Sequence, residues 1–317
     1  MRIGLDIMGG DYAPQYPLEG VALAINHLPE EAKIVMFGDQ EAITAFASKH
    51  NFNPDKYEIV STTQIIDMGE SPTKAMTSKP DSSILVGLKH LAMGKVDIFI
   101  SAGNTGAVYV GGLYTVKAIE GVLRPAIMTL IPKVSGGHGI ILDVGANADC
   151  KPEVLYQFGV LGYNYSKYVL GVENPKVGLL NIGSEPEKGN LASQAAYTLL
   201  EGNQKFDFIG NLEGYDLFND KADVIVTDGF TGNVVLKTAE TIYKIMKSRG
   251  INDDYFNRYD YETYGATPIL GLNKPVLIAH GVSSPEAFSQ MLELATQILH
   301  SKFIEKIKQA FELEPTK

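Results

Sequence analysis

Short apolar runs alternate with longer amphipathic stretches along the whole chain, and this rhythm limits the possible folds more than any other feature. The runs Ile3 to Met8, Lys33 to Phe37, Val96 to Ile100, Ile140 to Val144, Val177 to Ile182, Ala222 to Thr227 and Val276 to Ala279 are nearly continuous in apolar residues. That is the pattern of parallel strands covered on both faces. Helical patterns lie between them, over Ser82 to Met93, Thr105 to Ile119, Val154 to Val169 and Val234 to Met246. After the helix-start signal Ser284-Pro285-Glu286, apolar residues recur with a period of about 3.6 from Phe288 through Met291, Leu292, Ala295 and Ile298 to Phe311. They predict one long closing helix. Strand–helix alternation at this spacing predicts a doubly wound α/β sheet with helices on both faces. No low-complexity linker interrupts it, so residues 1–317 are expected to form a single two-lobed domain.

Composition narrows the function. Lys and Arg number 27 against 37 Asp and Glu, a net charge of −10, which argues against a nucleic-acid partner held through phosphates. Cys150 is the one cysteine, so neither an internal disulfide nor a cysteine-based zinc site can form, as suits a reducing compartment. The start of the chain meets Asp6, Gly9 and Gly10 too early for a secretory apolar segment. No apolar run approaches the ~20 residues of a membrane helix. A cytoplasmic protein, at most peripheral at a membrane, is expected.

In doubly wound sheets, ligands sit beyond the carboxyl ends of strands, so the loops there carry the information. Two of them nearly repeat: Ser101-Ala102-Gly103-Asn104-Thr105-Gly106-Ala107-Val108 and Asp228-Gly229-Phe230-Thr231-Gly232-Asn233-Val234. Each places Gly-x-Thr-Gly between a strand and a helix, where amides and hydroxyls can donate to an anion. The same letters also suit a tight turn with Thr as the helix cap. A third loop, Asp143-Val144-Gly145-Ala146-Asn147-Ala148-Asp149-Cys150, offers two carboxylates that could orient a ligand, hold Mg²⁺ or cap a helix. A fourth, Asn181 to Asn190, sets Lys188 among the acids Glu185 and Glu187. No dinucleotide fingerprint, Walker loop or Gly-x-Ser-x-Gly elbow occurs. His280 follows a strand and precedes a helix, a place that suits either a functional or a capping histidine. These residues favour direct attack by bound phosphate over a covalent enzyme intermediate.

Taken in order, Asp6-x-Met8-Gly9-Gly10-Asp11, Ser101 to Ala107, Ile119 to Ala126, Leu142 to Asn147, Leu180-Asn181-Ile182-Gly183-x-Glu185, Asp228 to Asn233 and Tyr264-Gly265 resemble the phosphate acyltransferase family over nearly the whole chain. The resemblance implies a fold: the three-layer α/β/α sandwich of isocitrate and isopropylmalate dehydrogenases, shared with phosphotransacetylases. It also implies a reaction, in which acyl-[acyl carrier protein] and inorganic phosphate give acyl phosphate and free carrier protein. A membrane acyl-phosphate:glycerol-3-phosphate acyltransferase then uses that product in phospholipid synthesis. Homodimers are implied, and no cofactor or metal. The site it implies assigns Gly103, Asn104, Thr105, Gly106, Thr231 and Gly232 to phosphate and carbonyl. Lys188 is the orienting cation, Asn233 a second polarising donor, and Asp143, Asn147, Glu185 and His280 stand around them.

Two stretches depart from the family. Only Val234 to Thr263 separate the Phe-Thr-Gly-Asn motif from Tyr264, where the family has a longer projecting hairpin. Ser248 to Glu262 is polar and aromatic, without the long apolar face of an interfacial anchor. Val282 also interrupts what is His-Gly-Ser-Ser in the family. Lys237, Lys244, Lys247, Arg249 and Arg258 follow the second anion loop and form either a docking surface for the acidic carrier protein or an ordinary solvated face.

Overall fold

The computed structural model describes residues 1–259 and 265–312. In chain order the elements are β1 (Arg2–Asp6), α1 (Gln15–Ala24), β2 (Lys33–Gly38), α2 (Gln40–Lys49), β3 (Tyr57–Ser61), α3 (Pro72–Ser78), α4 (Ser83–Ala92), β4 (Ile98–Ser101), α5 (Thr105–Thr115), β5 (Ala126–Pro132), β6 (His138–Leu142), α6 (Pro152–Tyr168), β7 (Lys176–Leu180), α7 (Leu191–Glu201), β8 (Asp207–Leu212), β9 (Val224–Val226), α8 (Gly229–Ser248), β10 (Ala266–Leu270), β11 (Val276–Ala279), α9 (Pro285–Ser301) and α10 (Phe303–Glu312). They form two compact units, Met1–Lys117 with Glu262–His300, and Ala118–Tyr261 with Ser301–Lys317.

In the first unit the strand order is β3-β2-β1-β4-β11-β10. All neighbours are parallel except β10, which runs antiparallel to β11. The chain moves outward from β1 through β2 to β3, then returns to lay β4 on the other side of β1. That reversal makes the carboxyl edge between β1 and β4 a topological switch point. Ile3, Leu5, Ile98 and Ile100 are fully buried, as strands covered on both sides must be. Gly87 of α4 lies flat on the Phe99 ring, and Gly20 of α1 lies on Phe288 of α9, with no room for a methyl group at either contact.

The second unit has the order β5-β6-β9-β7-β8, parallel except for β5 against β6. Gly162 brings α6 down onto Val224, Leu142 and Ile140. Helix α10 packs Phe303 edge-on against Tyr165 of α6, with ring centroids 5.3 Å apart.

All seven runs expected as strands are strands, and the α/β class is the one expected. Four further strands were hidden from pattern. β3 and β8 are only partly buried, so their sequences carry Glu58 and Asp207 beside apolar residues. β5 and β10 contain Pro132 and Pro268, which read as breaks, and these two run antiparallel to β6 and β11. The single closing helix is corrected to two: Lys302 adopts φ 51°, which interrupts the helix although the apolar period continues across it. Helix α8 starts at Gly229, five residues before the expected Val234, because its glycines and threonine read as loop.

Candidate active site

In the first unit β1, β4 and β11 are adjacent and parallel, so the loops after them leave one carboxyl edge together. Asp6 ends β1 fully buried, and the Ser101 hydroxyl donates to its Oδ2 at 2.7 Å. The Gly103 amide donates in turn to Ser101 Oγ at 3.0 Å, which ties the anion loop to β1. Burial pushes the Asp6 carboxyl above its usual range, against the opposing pull of bonds from Ser101, Ser83 and the Met8 and Gly9 amides. A side chain at Gly9 would stand 2.7 Å from the Gly103 amide, so only glycine lets these loops touch. The Asp11 amide donates to the Gly281 carbonyl at 2.7 Å and closes the third loop onto the first.

Asn104 caps α5, its Oδ1 accepting from the Ala107 amide at 2.9 Å. Its Nδ2 lies within 3.1 Å of the Asp67, Met68 and Glu70 carbonyls. This side chain clamps a neighbouring loop and does not point at an anion. The Thr105 and Gly106 amides occupy the first two helical positions, where no intrahelical acceptor exists. His280 is half-buried in the β11 loop, where its Nδ1 lies 3.5 Å from the Val282 amide. Tyr264 lies outside the described residues. Its neighbour Gly265 sits at φ 70°, pressed on Met291.

In the second unit β6, β9 and β7 are adjacent and parallel, so the Asp143, Asn233 and Lys188 loops share one carboxyl edge. Asp143 is the hub. Its Oδ1 accepts from the Ile127 and Ala146 amides, and its Oδ2 from the Asn147 amide at 2.6 Å and side chain at 2.9 Å. Desolvation still raises its carboxyl above the ordinary range. Gly232 is wedged against the Asp143 carbonyl oxygen, closer than a Cβ could tolerate, and Asn233 Nδ2 donates to the Val144 carbonyl at 3.1 Å. Asp228 caps α8, taking the Thr231 amide at 2.7 Å and its hydroxyl at 3.1 Å, while the Gly229 amide donates to the Asn147 carbonyl. Cys150 is buried, and desolvation with Asp143 and Asp228 nearby pushes its thiol up to about 12, which makes it a poor nucleophile.

Lys188 stands in the β7 loop with its side chain 47% exposed and Nζ 4.0 Å from Glu185 Oε2. Asn181 holds the loop by donating to the Lys188 carbonyl, and Asn211 donates to the Glu185 carbonyl at 2.7 Å. Gly189, at φ 91°, is packed on the Asn181 side chain.

The near repeat in sequence is not a repeat in space. Thr105 and Gly106 open α5, whereas Thr231 and Gly232 sit in the third and fourth positions of α8. The caps are Asn104 and Asp228, not the threonines. Sequence reasoning gave no role to Asp6, Ser101 and Asp228, although an acid closing a buried strand or opening a helix is a legible signal for the first and last.

The profile of the family described as "Fatty acid synthesis protein" matches residues 1–306. The chain is 40% identical to the phosphate acyltransferase of Halothermothrix orenii, with 98% of each protein covered. It is 41% identical to that of Clostridioides difficile, covering 98% of this chain and 96% of the relative. In fold it is similar to a phosphotransacetylase from Streptococcus pyogenes, with a TM-score of 0.67, 18% identity and 95% and 94% coverage. It is likewise similar to 4-hydroxythreonine-4-phosphate dehydrogenase from Klebsiella pneumoniae, with a TM-score of 0.57, 12% identity and 94% and 97% coverage. The same α/β scaffold thus underlies acyl-transfer and dehydrogenase chemistry, and relatives at 40% identity across the full chain decide between them: this chain is an acyltransferase of the phosphate acyltransferase family.

Proposed function

We propose that the chain transfers a fatty acyl group from acyl-[acyl carrier protein] to inorganic phosphate. A phosphate oxygen attacks the thioester carbonyl carbon and forms the new C–O bond. The tetrahedral oxyanion then collapses with cleavage of C–S, and the carrier thiol leaves with a proton. One observation carries the reading: in a chain of this family, three adjacent parallel strands deliver the Asp143 hub, Asn233 and Lys188 to one edge of the second unit.

An anion carrying two negative charges needs a cation and several N–H or O–H donors before it can leave water. Lys188 supplies the cation, and its exposure leaves it free to swing onto phosphate. Asn233 is the polarising donor. Thr231 and Gly232 line the approach, while Asp143, Asn147 and Glu185 hold the loops in register. In the first unit, the amides of Thr105 and Gly106 take anion contacts, Gly103 lets the loop approach closely, Asn104 positions their helix, and His280 borders them. The reaction changes no oxidation state, so it calls for no nicotinamide.

The reading extends to a cytoplasmic homodimer with at most peripheral membrane contact, whose product a membrane acyl-phosphate:glycerol-3-phosphate acyltransferase consumes. Phe230, Val234 and Ile245 stand exposed along one stripe of α8, a surface that a second copy would cover. Among the described residues no helix is long and apolar enough to cross a membrane. In place of a projecting hairpin, Tyr255, Phe256 and Tyr259 pack together, Tyr259 against Phe218, while Arg258 donates to the Lys133 and Gly137 carbonyls.

The test is to incubate purified protein with hexadecanoyl-[acyl carrier protein] and phosphate and to trap acyl phosphate as its hydroxamate. Phosphate-dependent hydroxamate supports the reading. Turnover of coenzyme A thioesters alone, with none of the carrier-bound substrate, overturns the choice of donor.

A further inference from the structure

Asp6 closes β1 in a place that stability alone does not explain. Its side chain is fully buried, and among the described residues no cation is paired with it. A carboxylate taken out of water without a cation is costly, and an apolar side chain of similar volume would avoid that cost. Donors from three segments converge on it instead. The Met8 amide donates to Oδ1 at 3.0 Å, with the Gly9 amide of the same loop beside it. The Ser101 hydroxyl comes from the end of β4, and Ser83 from the first residue of α4. What the carboxylate adds is one meeting point for three pieces of chain.

The bonding continues into the anion loop. Ser101 gives its single hydroxyl proton to Asp6, so its oxygen is left to accept, and it takes the Gly103 amide at 3.0 Å. Gly103 lies directly on this pair: a Cβ there would stand 3.2 Å from Ser101 Oγ and 3.4 Å from Asp6 Oδ2. Four residues later, Asn104 Oδ1 holds the Ala107 amide at 2.9 Å. The loop is therefore pinned at both ends. Between the pins lie the Thr105 and Gly106 amides, the first two of α5, which have no intrahelical acceptor.

We propose that Asp6 is a positioning residue for phosphate: through Ser101 it sets the direction in which the Thr105 and Gly106 amides point, without touching the anion itself. The inference rests on the transfer to phosphate proposed above and adds the group that keeps the first unit's anion contacts in aim.

Asp6→Asn keeps the size of the side chain but turns an NH2 group toward donors that need an acceptor. Ser101→Ala cuts the link to Gly103 and leaves Asp6 its other donors. Each should raise KM for phosphate at least about tenfold, the worth of one misdirected hydrogen bond to a charged group, with smaller changes in kcat and in KM for the acyl donor. The double variant should be no worse than the more impaired single one, because the two residues form one relay. Asp223→Asn is the control. That carboxylate takes the Lys133 ammonium and the Lys176 amide at the amino ends of β7 and β9, so its loss should lower the melting temperature and leave KM for phosphate unchanged. A phosphate KM that rises no more in Asp6→Asn and Ser101→Ala than in Asp223→Asn overturns the proposal, as do losses that multiply in the double variant. A second readout needs no turnover. Inorganic phosphate should raise the melting temperature of the wild type and of Asp223→Asn, and raise it clearly less in Asp6→Asn and Ser101→Ala. If the wild type makes no acyl phosphate yet shows this pattern, the reaction fails and the positioning role stands. If acyl phosphate forms while phosphate stabilises all four proteins alike, the reaction stands and the positioning role fails. Melting curves show that each variant is folded, and Ser101→Ala, which removes a single oxygen atom, carries the test if Asp6→Asn does not fold.

Discussion

Asp143 keeps its carboxylate away from water, and four N–H groups from Ile127, Ala146 and Asn147 converge on it. Those bonds favour the charged form, yet desolvation outweighs them and the carboxyl titrates above its usual range. Between an ordinary carboxylate pKa of about 4 and that raised value, the folded protein holds a proton that the unfolded chain has released. Stability contributed by this group therefore falls as pH rises through the interval. Asp143→Asn has no such titration, so the melting temperature of the wild type relative to the variant should decline from pH 4 upward; a constant difference across that range contradicts the assignment. Lys188 is a separate matter, because its side chain is half exposed and its ion pair with Glu185 is long and solvated. Lys188→Ala should lower acyl-phosphate formation by ~10²–10³ with melting unchanged, as removal of a single oxyanion donor does elsewhere. Asn233→Ala should lose as much turnover. It should also lose some stability, because the bond to the Val144 carbonyl goes with it.

The two loop–helix junctions look alike in letters and differ in mechanics. At α5, Asn104 is both cap and clamp, and the first two helical amides are left to face outward. At α8, Asp228 and the Asn147 carbonyl already take the Thr231 and Gly229 amides, so the helix start is bound to its own unit. Asp228→Ala should cost about 1 kcal/mol through the lost cap, readable as a lower urea midpoint. Gly232→Ala should cost about 1–3 kcal/mol, because the added methyl has to displace the Asp143 backbone. That displacement also moves Asn233, so turnover should fall further than stability alone accounts for. A fully active Gly232→Ala protein would show that the α8 start does not set the site geometry.

At the scale of the molecule, a net charge of −10 opposes the acidic carrier protein that is the proposed acyl donor. Local charge then matters more than the mean. Lys237 is paired with Glu240 at 2.9 Å, and Lys247 leans over the Tyr243 ring at 5.6 Å. Lys244 is exposed on α8. Replacing Lys244 and Lys247 together by Glu should raise KM for the carrier-bound substrate several-fold, with an effect that shrinks as salt is added. An unchanged KM at low salt removes this surface as the docking site.

The α/β class, the seven buried strands and the loops that matter were readable along the chain, because burial on two faces forces apolar runs and close backbone contact forces glycine. Lys188 and Asn233 were legible as candidates from the loops that hold them, and their roles belong to the proposed reaction. Four strands were not readable, since half-exposed β3 and β8 and proline-bearing β5 and β10 satisfy pairing without an apolar run. Neither was the break at Lys302, where one backbone angle divides a continuous apolar period. The inequality of the two Gly-x-Thr-Gly loops was equally hidden. It depends on whether a helix begins before or after the threonine, and that is fixed by which carbonyls and carboxylates, distant in sequence, accept the first amides of each helix.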